Sequence, residues 1–239
     1  MLLRASALLI GGACLLLAAC DSGSNYDTDG ADDDYDLQNM TLRNEDLPEG
    51  VQIVNAAEFT NDEWAQAFDT GDPDAKRNQL DAQGQIRNYI AFFTWENPAQ
   101  YLGRFISITT HSTLFTDDAS ASEAERKSVC GLLVADADPV DEFNVPKIGD
   151  DAVGFFVTTP DFAVAITEDV SVNFGTSVDT AVCFRTGRIL HAVVQTGLDG
   201  TQDVGLSMNL AKRMLDRVEA VIDGTADPYP EPEVADEDG

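Results

Sequence analysis

The stretch "TAVCFRTGRILHAVVQTG", residues 180–197, narrows the folds open to this chain more than any other. Two runs rich in β-branched and apolar residues flank Thr186-Gly187, and glycine supplies the positive φ that a tight turn demands. A hairpin of this kind is stable only beside further strands. "IRNYIAFFTW" from Ile86 and "GRFISITTHSTLF" from Gly103 have the same composition, with "ENPAQYLG" between them as a loop. "DDAVGFFVTT" and "FAVAITEDV" read as two more strands.

Helix signals surround these runs. Thr60 is placed to cap a helix, Glu63 closes the capping box, and Phe59 can staple onto Trp64. Gly71 stands just past the expected end of that helix, near Asp69. Asp72, Pro73 and Gly84 repeat the logic as cap, first residue and stop. "DDASASEAERKSVCGLL" predicts a helix from Asp117 or Asp118. In the last helix Ser207, Leu210, Ala211, Met214, Leu215, Val218, Val221 and Ile222 fall on one stripe, which Gly224 ends. The non-alternating order predicts an α+β fold, an antiparallel sheet covered by helices. A hairpin followed by a helix occurs twice, at about 86–134 and about 178–222, which suggests two weakly similar halves.

Hydrophobic residues make up 44% of the 239, enough for one ordinary core, expected over 50–222. The formal net charge is −29, with ten acids and one base in residues 21–49 and seven acids and no base in 223–239. No basic face exists to neutralise phosphates, so nucleic acid is excluded as a partner. Electrostatic docking on anionic lipid is excluded for the same reason. Acid blocks of this kind read as solvated segments: an acidic flexible tether at 20–49 and an acidic, Pro-containing disordered tail at 223–239. As a random coil the tether would reach roughly 25–30 Å.

Residues 1–19 read as a signal peptide, with Arg4 as the basic element before an apolar stretch of about 15 residues, too short to span a bilayer comfortably. It ends in Leu17-Ala18-Ala19-Cys20, which resembles the lipobox of bacterial lipoproteins. The resemblance implies cleavage before Cys20, a lipid on its thiol, and anchorage to the outer face of a membrane at the bacterial cell envelope. Cys14 is the poorer candidate because Gly11 stands where the motif wants a larger aliphatic residue. A plain secretory signal is the alternative. The element order also resembles the α+β extracytoplasmic domains of bacterial lipoproteins such as the LpqN-like group, with no residues carried across. With Cys14 removed and Cys20 lipidated, Cys130 and Cys183 remain. In an exported protein such a pair is expected as a disulfide, two buried free thiols being the alternative.

Candidate chemistry is sparse. His111 and His191 are the two histidines, each placed mid-strand. Sequence neighbours on a strand point to opposite faces, so His111 cannot reach Ser112. No G-x-S-x-G, H-E-x-x-H, phosphate-loop or dinucleotide fingerprint gives either histidine a context. Trp64, Tyr89, Phe93 and Trp95 are candidates for lining an apolar ligand pocket, with ordinary core packing as the competing reading. Arg185 and Arg188 flank the hairpin tip and could clamp an anion. Asn25, Asp27, Asp29 and Asp36 follow the alternate-position spacing of an EF-hand-type calcium loop, with Gly30 at the bend. The pattern departs at Asn25 in the first place, Asp36 in the twelfth and Asp32 in the usually apolar eighth.

These readings converge on a lipid-anchored extracytoplasmic binding or interaction module, accessory or sensor-like, without a cofactor. It would meet an envelope protein or a small apolar ligand. The alternative is an envelope hydrolase using His111 or His191 with a carboxylate.

Overall fold

The computed structural model describes residues 26–68, 71–97, 103–127, 130, 140–167 and 170–229. Seven strands form one antiparallel sheet: β1 (Val51–Thr60), β2 (Gln85–Trp95), β3 (Phe105–Phe115), β4 (Val140–Phe143), β5 (Asp151–Thr167), β6 (Val170–Thr186) and β7 (Ile189–Leu198). Their order across the sheet is β1-β2-β3-β7-β6-β5-β4. The four helices are α1 (Asn61–Phe68), α2 (Pro73–Ala82), α3 (Asp118–Lys127) and α4 (Val204–Ile222). The fold is therefore α+β.

The hairpins β2–β3 and β6–β7 meet where β3 pairs with β7, in a register that sets Ser112 opposite His191 and His111 opposite Ala192. Each hairpin is followed by a helix, α3 or α4. The two helices lie on opposite faces, α3 against Phe115 and Leu190, α4 against the cluster of Phe93, Ile108, Phe184 and Val193. The hairpin–helix units thus repeat in order but not in packing.

Local signals place the helices as expected. Thr60 Oγ1 accepts from Glu63 N–H, Glu63 Oε2 accepts back from Thr60 N–H at 2.9 Å, and the Phe59 and Trp64 rings meet edge-on at 5.7 Å. Asp72 caps α2 through Ala75 N–H, Asp117 accepts from Ser120 N–H, and Asp203 caps α4 through Leu206 N–H. Leu210, Ala211, Met214 and Val218 form the buried stripe of α4.

Three departures from the sequence reading have physical causes. The runs that begin at Asp150 and Phe162 join in one strand, β5, which ends at Thr167, because Asp161 takes φ 56° after Pro160 and the register slips between Thr159 and Phe162. A bulge absorbs the proline, and the ladder resumes beyond it. As a result β5 and β6 extend past the sheet. β7 pairs with β6 only as far as Ser177, and beyond it β5 and β6 continue as a ribbon with no other described strand beside them.

The second departure is the acidic segment. Residues 26–49 do not form a solvated tether but a strap along the α4 face of the sheet, where Leu37, Met40 and Leu42 are wholly buried and Tyr35 and Leu47 nearly so. The apolar residues at 35, 37, 40, 42 and 47 overcome the surrounding charge, since burying each contributes about 1.5–3 kcal/mol. The third lies at the C-terminal end. Up to Tyr229 the tail returns to the domain: Arg43 donates to the Asp227 carbonyl at 2.6 Å, and its guanidinium sits over the Tyr229 ring. Residues 230–239 lie outside the described residues.

Cys130 and Cys183 are joined as a disulfide across 53 residues of sequence, buried among Phe155, Ala181, Ala192 and Val194. On the chain-entropy account a loop of this length stabilises the fold by about 4 kcal/mol. The Cys130→Ala/Cys183→Ala double variant is expected to lose about that much in urea unfolding at neutral pH. A loss below ~1 kcal/mol would show that the bridge is not formed in the native protein.

Candidate functional site

A dense constellation of polar contacts lies at the turn between β6 and β7. Thr186 pairs with Ile189, so Gly187 and Arg188 are the two turn residues, one position later than the spacing suggested. Gly187 takes φ 55°, and a Cβ there would stand 1.9 Å from Thr28 Oγ1. Only glycine admits both the backbone and the neighbour. Arg188, 6% exposed, donates from Nε to the Thr28 carbonyl, from Nη2 to the Gly30 carbonyl and from Nη1 to Asp32 Oδ1, each at 2.7 Å. Nη1 also reaches the Phe115 carbonyl at 3.1 Å, and the backbone N–H donates to Thr28 Oγ1. The guanidinium lies 4.9 Å from the centre of the Tyr35 ring, whose hydroxyl accepts from Gly30 N–H. The anion Arg188 holds is therefore the protein's own acidic segment.

Other arginines continue the attachment along the strap. Arg87 donates to the carbonyls of Asp32 and Tyr35 and pairs with Glu58 at 2.7 Å. Arg217 on α4 pairs with Asp46 and with Glu45, and Arg213 donates to the Asp46 carbonyl. Arg185 lies 3.5 Å from Asp150, whose carboxylate also accepts from Gly187 N–H. At the upstream end Tyr26 donates its hydroxyl to Glu219 near the end of α4.

This arrangement accounts for the calcium candidates. Asp27 accepts from Asp29 N–H, and Asp36 accepts from the Asn39 backbone and side chain. Asp32 is taken up by Arg188, and Asn25 and Cys20 lie outside the described residues. Among the described residues no group of three or more His, Cys, Asp or Glu side chains is placed to share a metal ion.

The aromatic candidates fall on two faces of the sheet. Trp64 packs with Leu80 and Ile90 under α1 and α2, whereas Tyr89, Phe93 and Trp95 point into the α4-side core. Their positions on β2 share one parity, and the sheet separates them from Trp64, so the four do not line one pocket. Trp95 donates its indole N–H to the Phe105 carbonyl. Tyr89 does contribute to an open depression of about 500 Å³ between the strap and β1–β2, with Tyr35, Asp36, Ala56, Glu58 and Arg87. Burial raises the Tyr89 phenol above its ordinary pKa, so it is neutral there.

The two histidines are also on opposite faces. His191 is fully buried, with Nδ1 2.9 Å from Ser112 Oγ and Nε2 2.9 Å from Thr186 Oγ1, and its ring stacks on Phe184. His111 stacks on Trp64 and bonds Thr113 Oγ1 through Nε2. Its Nδ1 has no hydrogen-bond partner among the described residues, although the Cys130 backbone lies near enough to raise its basicity. Burial pushes His111 down to about 4 and His191 down to about 3, with repulsion from His111 contributing to the second. Among the described residues neither is bonded to a carboxylate, and the hydroxyls in reach of the histidines, those of Ser112, Thr113 and Thr186, are buried with them. The Ser112–His191 pair depends on the pairing of strands 79 residues apart and is invisible to local reading. Among the described residues no carboxylate stands with either histidine in the arrangement a hydrolase would use.

No family model matches the chain, and no curated protein matches it. Among solved structures it is similar to the extracellular domain of PknH from Mycobacterium tuberculosis, with a TM-score of 0.42 and 9% identity over 77% of this chain and 94% of that one. A likeness at this level transfers no residue and no activity. No described helix is long and apolar enough to cross a membrane.

Two outcomes follow from the geometry. Arg188→Ala leaves the Thr28, Gly30 and Phe115 carbonyls without their donor, and is expected to lower stability by about 3 kcal/mol and open residues 26–36 to protease. Arg188→Lys recovers less than half of that, because one ammonium cannot serve acceptors arranged around a planar fork; full recovery by lysine would show that charge alone holds the strap. The histidines give a pH dependence. Their folded pKa values lie below the unfolded one, so their contribution is complete above about pH 6.5 and is lost as pH falls toward the folded values. Between pH 7 and pH 5 the two histidines should together cost urea unfolding about 4 kcal/mol, and His191→Asn should remove about half of that slope.

Proposed function

We propose that this chain is a lipid-anchored extracytoplasmic interaction module, accessory or sensor-like, held to a membrane through Cys20. Its β5–β6 ribbon is the part presented to a protein partner of the cell envelope. The observation that carries this reading is the ribbon itself. Beyond Ser177 no described strand other than β5 lies alongside β6, and Phe174 is 39% exposed there. Unpaired main-chain groups next to apolar side chains are what a partner strand or groove engages.

The lipobox-like Leu17-Ala18-Ala19-Cys20 and the Cys130–Cys183 bridge support an exported, oxidising location. The aromatic residues supply core rather than one shared cavity, which favours a protein partner over a small apolar ligand. Two measurements test the reading. Cys20→Ser should move the protein from the membrane fraction to the soluble one; unchanged membrane retention would remove the anchor. A photo-crosslinking residue at Phe174 should give a discrete adduct in cells, and one at Val54 on the opposite edge strand should not. Equal labelling from both positions, or none from Phe174, would remove the ribbon as the contact.

A further inference from the structure

We propose that the end of the sheet carrying the Gly187–Arg188 turn faces the phospholipid headgroups, with the β5–β6 ribbon directed away from them. This deepens the proposed function and rests on the lipid at Cys20.

The argument starts from where order begins. Tyr26 is bonded to Glu219, and Thr28 and Gly30 are held by Arg188, so the chain is part of the folded domain from residue 26 onward. A thirty-residue leash is thereby cut to the few peptide units between Cys20 and Tyr26, which span at most about 20 Å when fully extended. The domain is longest along its two longest strands: β6, at 17 residues, runs about 55 Å, against about 29 Å across the seven-stranded sheet. A leash shorter than the body it holds restricts which end can approach the bilayer.

The chain path identifies that end. β6 descends to Thr186 and β7 starts back from Ile189, while β3 finishes at Phe115 beside them, its backbone N–H bonded to the Arg188 carbonyl. α4 runs antiparallel to β7 and brings Glu219 to the same end, where Tyr26 meets it. The Thr167–Val170 pair lies at the opposite end of the same two strands.

The anchored end is acidic, with Asp27, Asp29, Asp117 and Asp223 exposed. Electrostatic attraction to an anionic leaflet therefore does not set the orientation; within a Debye length of about 8 Å it opposes contact. The covalent leash supplies the approach and the acids supply a standoff.

The test uses the full lipidated protein in phosphatidylcholine vesicles with a headgroup-linked acceptor dye. A donor dye is attached through Ala119→Cys at the turn end or through Glu96→Cys at the far end, both exposed positions. Given ~33 Å along β2 between the two ends, energy transfer should be about two- to threefold stronger from residue 119. Inserting roughly 24 Gly and Ser residues between Asp21 and Tyr26, which leaves every described contact intact, should erase that difference. Equal transfer from the two positions, or a difference that survives the insertion, overturns the orientation while the protein still floats with the vesicles. A protein that carries no lipid by intact mass and fails to float overturns the anchored reading, and this proposal with it.

Discussion

The Arg188 guanidinium lies where the strap, the β6–β7 turn and the end of β3 meet, and it serves acceptors on two of these while belonging to the third. Three backbone carbonyls and one carboxylate converge on it in near-complete burial. A buried charge is tolerated only when its donors are satisfied, and the segment that satisfies them is the most acidic stretch of the chain. Arg188 joins Arg87, Arg213 and Arg217 in fixing the register at which Leu37, Met40 and Leu42 meet the sheet. With these contacts, the strap has one position, and α4 has a neighbour that completes the cover of its face of the sheet.

Legibility in the sequence followed the range of the interactions. Thr60–Glu63, Asp72 and Asp203 act over three or four residues, and the helices they begin stand where local pattern places them. The β6–β7 hairpin was equally readable, offset by one residue at its turn. The strap was not, because charge averaged over residues 20–49 conceals apolar residues at 35, 37, 40, 42 and 47. Read singly, with Arg188 and Arg87 in view as unexplained cations, those five positions were the available signal. Trp64 and the β2 aromatics were separated by the alternation of the strand, which the sequence also carried, but their assignment to one pocket ignored which face α1 would cover. Ser112 and His191 needed the β3–β7 register, which no local pattern contains.

The buried polar residues at that register are used for packing. His191 satisfies both ring nitrogens with hydroxyls, Gln195 takes the hydroxyl of Ser207 from α4, and Thr113 is bonded to His111. A central strand reading Thr110-His111-Ser112-Thr113 is thus polar and fully interior at once. Such a network restricts how β3 and β7 can pair, since a slip by one residue would exchange the histidines between faces and strand their ring nitrogens. The fold invests its scarce chemistry-bearing residues in register.

The ribbon has a mechanical consequence. It and the start of the strap lie at opposite ends of the same strand direction, so tension between them runs along β6 rather than across it. Force in that direction loads the ladder hydrogen bonds together, in shear, whereas a pull across the strands would open them one after another. A partner grasping the ribbon would therefore pull along the strands, with the Arg188 contacts in the line of load.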